Sequence, residues 1–142
     1  MRKKLIMLTA MMLVIFSMAT VANAAIFSSK YISYYYANAK AHTGGLIVVA
    51  IDINATDTMN KVGAQTIIMQ EKSPGSSNWN SIDTLTSDDY SNMMATNSYQ
   101  HAADIYYYGA TPGYQYRAKV YFYAEKGGYD TGEYITPSVT AR

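Results

Sequence analysis

The sequence predicts an all-β protein: an antiparallel, two-sheet Greek-key sandwich of about seven strands that follows an N-terminal signal peptide. Three observations lead there. Short runs of residues alternate apolar and polar side chains with a period of two, and clusters of Gly, Pro, Asn and Ser separate these runs. No segment after the first 24 residues shows a convincing 3.6-residue period. Tyr116, which follows a Pro-Gly turn at the start of a strand, matches a tyrosine corner and favours the sandwich over a closed barrel.

An export signal accounts for the first 24 residues. Arg2, Lys3 and Lys4 form its basic start, and Leu5–Met18 is an apolar run too short to span a membrane comfortably. Cleavage is expected after Ala24, which ends a small-x-small motif. The protein is therefore expected to be secreted and extracellular, with no membrane span after processing. An uncleaved N-terminal anchor is the alternative.

Composition limits the partners of the processed chain. Residues 25–30 are expected to be a lead-in and residues 31–142 one domain. The processed chain has eight basic and ten acidic residues, a net charge of −2 without a basic stripe, which argues against nucleic acid and anionic membrane. There is no cysteine, so the core must hold without disulfides. All 15 tyrosines follow the signal.

The first half of the domain contains four predicted strands. Tyr31–Ala37 has the composition of an edge strand, and Leu46–Ala55 that of a central one. Thr56–Gly63 is predicted to be a connection. Ala64–Lys72 and Trp79–Thr86 are expected to form a hairpin with a long loop. The predicted inward residues are Ile47, Val49, Ile51, Ile53, Ile67 and Met69, with Met59 and Val62 tucked in from the connection.

The second half contains three more predicted strands. Ser87–Ser98 is expected to be a loop held by Met93 and Met94. It leads to a strand over Tyr99–Tyr107. The strand after the Pro-Gly turn alternates without a slip: Tyr114, Tyr116, Ala118, Val120, Phe122 and Ala124 share one face. A glycine turn returns the chain into a last strand over Tyr129–Thr140, with Pro137 near its end as an edge or bulge signal.

Several stretches together carry a resemblance: Thr58-Met59, Val62-Gly63-Ala64, Ile67 to Glu71 with Trp79, Met93-Met94 with Asn97 and Tyr99, Tyr107-Tyr108-Gly109, Tyr114 to Ala124 and Val139-Thr140-Ala141. On these, the chain resembles small secreted proteins of Gram-positive bacteria of the Firmicutes type that consist of a single fibronectin type III or immunoglobulin-like sandwich. The resemblance implies an extracellular address and a fold. It supplies no catalytic residue.

Outward tyrosines are the candidate binding residues. Exposed aromatic rings in a row can stack on sugars or dock a protein, because tyrosine combines rigid area with a polar tip. The alternative is that such rows only strengthen cross-strand pairing. The candidate binding face consists of Tyr106, Tyr108, Tyr121, Tyr123, Tyr129 and Tyr134.

Catalytic and metal-binding chemistry finds little support in the residue pattern. His42 falls in a turn and His101 on the inward phase of a strand, where a hydrogen-bonded structural role is expected. Asp88 and Asp89 with Asn92 could supply oxygens to calcium, but their spacing matches no known loop and a polar loop is the favoured interpretation. No catalytic residue, metal or cofactor is predicted.

These observations favour a secreted, non-catalytic binding or adhesion module. Its partner would be a cell-wall glycan or an extracellular protein. A secreted toxin or bacteriocin-like protein is the alternative, and a secreted hydrolase ranks third.

Overall fold

The computed structural model describes residues 29–142. The predicted signal peptide, its cleavage after Ala24 and most of the lead-in lie outside these residues. Seven strands and one short 3₁₀ turn, Ser91–Met93, make up the described chain. The strands are β1 (Ile32–His42), β2 (Leu46–Lys72), β3 (Asn80–Thr86), β4 (Met94–Tyr108), β5 (Gln115–Glu125), β6 (Tyr129–Ile135) and β7 (Val139–Thr140).

The predicted all-β class with seven antiparallel strands is confirmed. All strands belong to one hydrogen-bonded sheet, which curls around the core, and β2 runs through its centre. The first half of β2 pairs with β1 on one side and with β4 on the other. The second half pairs with β3 and β5, and β5 in turn carries β6 and β7.

The predicted connection over Thr56–Gly63 is wrong, because the backbone there continues as β2. Met59 lies opposite Ser98 and Gly63 lies opposite Met94. The polar side chains of this stretch resemble a loop in sequence, but pairing with β4 keeps the backbone extended, and long-range pairing overrides local propensity. For the same reason the predicted loop over Ser87–Ser98 ends early, at Met93.

Three further strand boundaries differ from the sequence prediction. The first strand, predicted to end at Ala37, continues as β1 to His42. Trp79 lies immediately before β3 instead of within it. The last predicted strand, Tyr129–Thr140, is interrupted between β6 and β7. At the break, Thr136 is buried, and its Oγ1 accepts a hydrogen bond of 2.9 Å from the amide of Ala118. Pro137, which has no amide hydrogen to donate, follows directly.

The inner face of the sheet holds the core, and the predicted strand phases are confirmed where alternation is strict. On β5 the even-numbered residues from Tyr116 to Ala124 are buried. The predicted inward residues of β2 and the additional core residues are all fully or almost fully buried: Ile47, Val49, Ile51, Ile53, Met59, Val62, Ile67, Met69, Leu85, Met93 and Ile105. Leu46 and Val48 are half-buried on the outer face.

The curl brings β1 against β5 and β6. The Tyr35 ring lies 5.1 Å from the Phe122 ring, measured between centroids. It also covers Gly132 of β6, where an added Cβ would overlap the ring. A glycine at this position therefore lets an aromatic side chain of one strand lie flat on the backbone of another.

Tyr116 anchors the start of β5. Its ring is fully buried, and its hydroxyl accepts a hydrogen bond of 2.8 Å from the amide of Thr111, five residues upstream. The same hydroxyl donates to Glu71 Oε2 at 2.9 Å. One side chain thus ties the Pro-Gly turn to both β5 and the end of β2.

Candidate functional site

The outer face of β5 and β6 carries the best-formed group of candidate tyrosines. Tyr121 and Tyr123 occupy the outward, half-buried positions of β5. A tight hairpin turn, in which Gly127 has a φ of +68°, returns the chain so that Tyr129 lies opposite Glu125. We call Tyr121, Tyr123 and Tyr129 the tyrosine platform.

Two rings of the tyrosine platform are stacked across the hairpin. The Tyr123 and Tyr129 centroids are 5.7 Å apart, and the ring planes differ by 23°. Offset stacking at this separation is a favourable arrangement of aromatic rings. Tyr129 remains 67% exposed, so it offers open aromatic area to a ligand.

A carboxylate holds the Tyr123 ring in place. The Tyr123 hydroxyl donates a hydrogen bond of 2.6 Å to Glu125 Oε2. This bond, with a smaller contribution from burial, raises the pKa of the Tyr123 phenol to about 12. The raised pKa shows that the Glu125 carboxylate favours the protonated hydroxyl, which donates to it, over the phenolate.

Charged groups border the platform next to Tyr121. The Lys119 ammonium lies 5.5 Å from the centre of the Tyr121 ring and 3.2 Å from Glu133 Oε1. Hydrogen bonds to Tyr121 and Glu133 raise the pKa of Lys119 above its ordinary value. The platform thus combines flat aromatic area with carboxylate and ammonium groups that can bind hydroxyls.

Tyr106 and Tyr108 form a separate pair on β4. Their rings are stacked, with centroids 6.4 Å apart, and the two residues are 46% and 75% exposed. Tyr108 lies opposite Leu46 at the start of β2, whereas Tyr123 lies opposite Gly63, 17 positions further along. The β4 tyrosine pair and the tyrosine platform therefore occupy different parts of the outer face.

Tyr134 lies away from both groups. It is five residues from Tyr129, and since side chains alternate along a strand, it points to the opposite face of β6. Its ring meets Tyr36 of β1 edge-on, with centroids 5.2 Å apart. Burial raises the pKa of Tyr134. The structure thus divides the six candidate tyrosines among three places.

The histidines lie apart. His42 is exposed at the end of β1. His101 is half-buried, and its Nε2 lies 2.7 Å from the carbonyl oxygen of Asn92. The sequence predicted this kind of structural role for His101.

The polar loop before β4 uses its oxygens and amides internally. Asp88 and Asp89 are exposed, and Asp89 Oδ2 accepts a hydrogen bond of 2.8 Å from the Thr86 hydroxyl. The Asn92 amide donates to the carbonyl of Asp104. Within residues 29–142, no group of three or more His, Asp or Glu side chains is placed to hold a metal ion.

Sequence reasoning missed a second feature of the outer face. The Trp79 ring lies 4.4 Å from the Arg117 guanidinium carbon and 5.1 Å from the Lys72 ammonium. Arg117 is opposite Gln70 on β2, and its Nε donates a hydrogen bond of 2.8 Å to Gln70 Oε1. We call Lys72, Trp79 and Arg117 the tryptophan–cation cluster. The alternation of β2 and β5 is enough to predict that Lys72 and Arg117 face outward. Only the long-range pairing of the strands brings Trp79 next to them.

Comparison with known proteins gives no relative from which a role could be transferred. No protein-family model, no curated protein and no solved structure matches the chain. In the part of the chain that the structure describes, no helix is long and apolar enough to cross a membrane.

Proposed function

We propose that this chain is a secreted, non-catalytic binding module that holds an extracellular glycan on the tyrosine platform. The observation that carries the proposal is the exposed stack of Tyr123 and Tyr129 beside the Glu125 carboxylate. A sugar ring has an apolar face that can lie on an aromatic ring and hydroxyls that need polar partners at its edge. The platform supplies both within one hairpin.

The platform is also ordered before any ligand arrives. The hydrogen bond from Tyr123 to Glu125 restrains a ring that would otherwise lose rotamer freedom on binding. Beneath it, Phe122 and Ala124 are fully buried. A rigid surface of this kind supports binding without a deep pocket.

The secreted role and the finer fold assignment belong to the same proposal. The export signal and the resemblance to small secreted Firmicutes proteins support an extracellular address. The tyrosine-corner geometry of Tyr116 supports a two-layer Greek-key sandwich of the fibronectin type III or immunoglobulin-like kind. In that description the two halves of β2, which pair with different strands, take part in different layers.

Retention on a cell wall tests the proposal. The purified domain is incubated with an insoluble Gram-positive cell-wall preparation that protease has cleared of proteins. We expect retention, and we expect Tyr129→Thr and Tyr123→Thr each to weaken it about threefold to tenfold through the lost ring area. Threonine keeps the β propensity of the strand.

Tyr99→Thr is the matched control, since Tyr99 is 56% exposed on β4. Its retention should equal that of the unmodified domain. Equal retention of all three variants, or no retention at all, would contradict a glycan site on the platform.

A protein partner is the second candidate, and the β4 tyrosine pair favours it. Tyr106 and Tyr108 are exposed beside the half-buried apolar side chains of Val48 and Leu46, which resembles the aromatic centre of an interface. This function would be favoured if the domain bound untreated wall, if protease treatment of the wall abolished that retention, and if Tyr108→Thr weakened it. A toxin or bacteriocin-like role and a hydrolase remain lower-ranked proposals without a supporting contact.

A further inference from the structure

We propose that the glycan is anionic and that the tryptophan–cation cluster binds its carboxylate or phosphate groups. This inference rests on the proposed glycan-binding function and extends it along β5. The ligand would lie lengthwise on the outer face, with sugar rings on the tyrosine platform and an acidic group at Lys72 and Arg117.

The first support is the chemistry of the cluster. Arg117 uses Nε to bond Gln70, which fixes the guanidinium beside Trp79. This bond leaves the paired terminal nitrogens, the part of arginine that matches a carboxylate or phosphate, free for a ligand. Trp79 is half-buried and adds an aromatic surface next to the charges.

The second support is that the positive charge is not neutralised by the protein. Within the described chain, only Lys119 and Lys126 form salt bridges with carboxylates, so Lys72 and Arg117 are among the cations without one. They differ from the others in lying together, on the same Trp79 ring. Glu71, the neighbour of Lys72, points to the inner face and accepts the Tyr116 hydroxyl. The sheet therefore separates this acid from the two cations.

The third support is alignment with the platform. Arg117, Tyr121 and Tyr123 all lie on the outward phase of β5. From Arg117 to Tyr123 the strand rises about 20 Å over six residues, a length that suits several linked sugars. The processed chain is net negative, so binding of a polyanion depends on this local cluster and not on overall charge.

Two soluble probes with one backbone provide the test: oligogalacturonate, which carries carboxylates, and its methyl ester, which is neutral. Dissociation constants are measured by titration calorimetry at low and at physiological salt. We expect the acidic probe to bind more tightly, and its advantage to shrink as salt rises. Lys72→Gln combined with Arg117→Gln should raise the dissociation constant for the acidic probe by about threefold to thirtyfold. The dissociation constant for the methyl ester should stay unchanged.

Lys40→Gln combined with Arg142→Gln is the matched control, because it removes two exposed charges elsewhere on the domain. It should keep the preference for the acid. A single Lys72→Gln variant, expected to show a smaller loss, guards against a folding defect from the lost Arg117–Gln70 bond. A glycerol phosphate polymer in place of the acid distinguishes phosphate from carboxylate as the anion that is bound.

The outcomes separate this inference from the function on which it rests. Equal binding of both probes by the unmodified domain, or an unchanged preference in the Lys72 and Arg117 double variant, would overturn the anionic assignment while glycan binding stands. If the Lys40 and Arg142 double variant lost the preference for the acidic probe, the anion would bind elsewhere on the domain, and the anionic assignment to the tryptophan–cation cluster would also be overturned. Failure of the domain to bind either probe, together with no retention on cell wall, would refute the glycan-binding function itself.

Discussion

Replacing Tyr116 with phenylalanine isolates the hydrogen bonds that join the Pro-Gly turn, β5 and β2. The ring is fully buried, and phenylalanine keeps its volume, so no cavity forms around the aromatic carbons. Only the hydroxyl is lost, with its bonds of 2.8 Å from the Thr111 amide and 2.9 Å to the Glu71 carboxylate. The variant therefore measures these two contacts and little else.

The expected loss follows from the two bonds. A hydrogen bond to a charged acceptor contributes about 1.5–3 kcal/mol, but half-buried Glu71 can recover some hydration. The bond from the Thr111 amide is only part-buried, so water can replace part of what this amide loses. We expect the free energy of unfolding to fall by about 1–3 kcal/mol. With an unfolding entropy of about 0.24 kcal/mol per kelvin for a domain of this size, the Tm should drop by about 4–12 °C.

Urea unfolding followed by the fluorescence of Trp79, the only tryptophan, gives the measurement. The midpoint should shift while the denaturant slope stays unchanged, because the folded state keeps its compactness. Tyr99→Phe is the control, expected within about 0.5 kcal/mol of the unmodified domain, since Tyr99 is exposed. If Tyr116→Phe were as stable as this control, the hydroxyl would not hold the turn and the tyrosine-corner reasoning would fail.

Three further predictions concern other contacts. Hydrogen bonds from Ser29 and Tyr31, just before β1, hold the pKa of Asp130 below its ordinary value, so the stability that this carboxylate contributes above pH about 4 is lost as the pH falls through the lowered pKa. Asp130→Asn should flatten the acid limb of a plot of Tm against pH, and an unchanged limb would contradict this. Glu125→Gln should lower the pKa of Tyr123 from about 12 in a phenolate absorbance titration; an unchanged value would mean that another group causes the shift. Gly132→Ala should lower the free energy of unfolding by about 1–3 kcal/mol, because the added methyl overlaps the Tyr35 ring, whereas a neutral result would mean that the ring moves aside freely.

Strand phases could be predicted from the sequence because they depend on local alternation. From Tyr116 to Ala124, each buried residue of β5 is one that the period of two placed inward. The same holds for the run from Ile47 to Ile53 in β2. The tyrosine platform was partly predictable for this reason, since its hairpin joins two strands that are adjacent in sequence.

Features that depend on long-range pairing could not be predicted. The extension of β2 through Thr56–Gly63 requires the partner residues of β4, which lie more than 30 positions away. The separation of Tyr108 from Tyr123 depends on which end of β2 each strand pairs with. Trp79 meets Arg117 only because β3 and β5 flank the same part of β2. Alternation gives the face of a side chain but not its neighbour across the sheet.

The tyrosines of the platform have a structural effect as well as a proposed function, and the two can be separated quantitatively. A cross-strand aromatic pair such as Tyr123 and Tyr129 stabilises a hairpin by about 0.2–1 kcal/mol even without a ligand. Strand pairing does not require Tyr129 to be two-thirds exposed. It also does not require Lys72 and Arg117, which form no salt bridges within the described chain, to lie beside Trp79 on the same face of the sheet. If pairing were the only role, Tyr129→Thr would change stability and leave glycan retention alone. A loss of retention that exceeds the loss of stability would show that the open face of the ring binds a ligand.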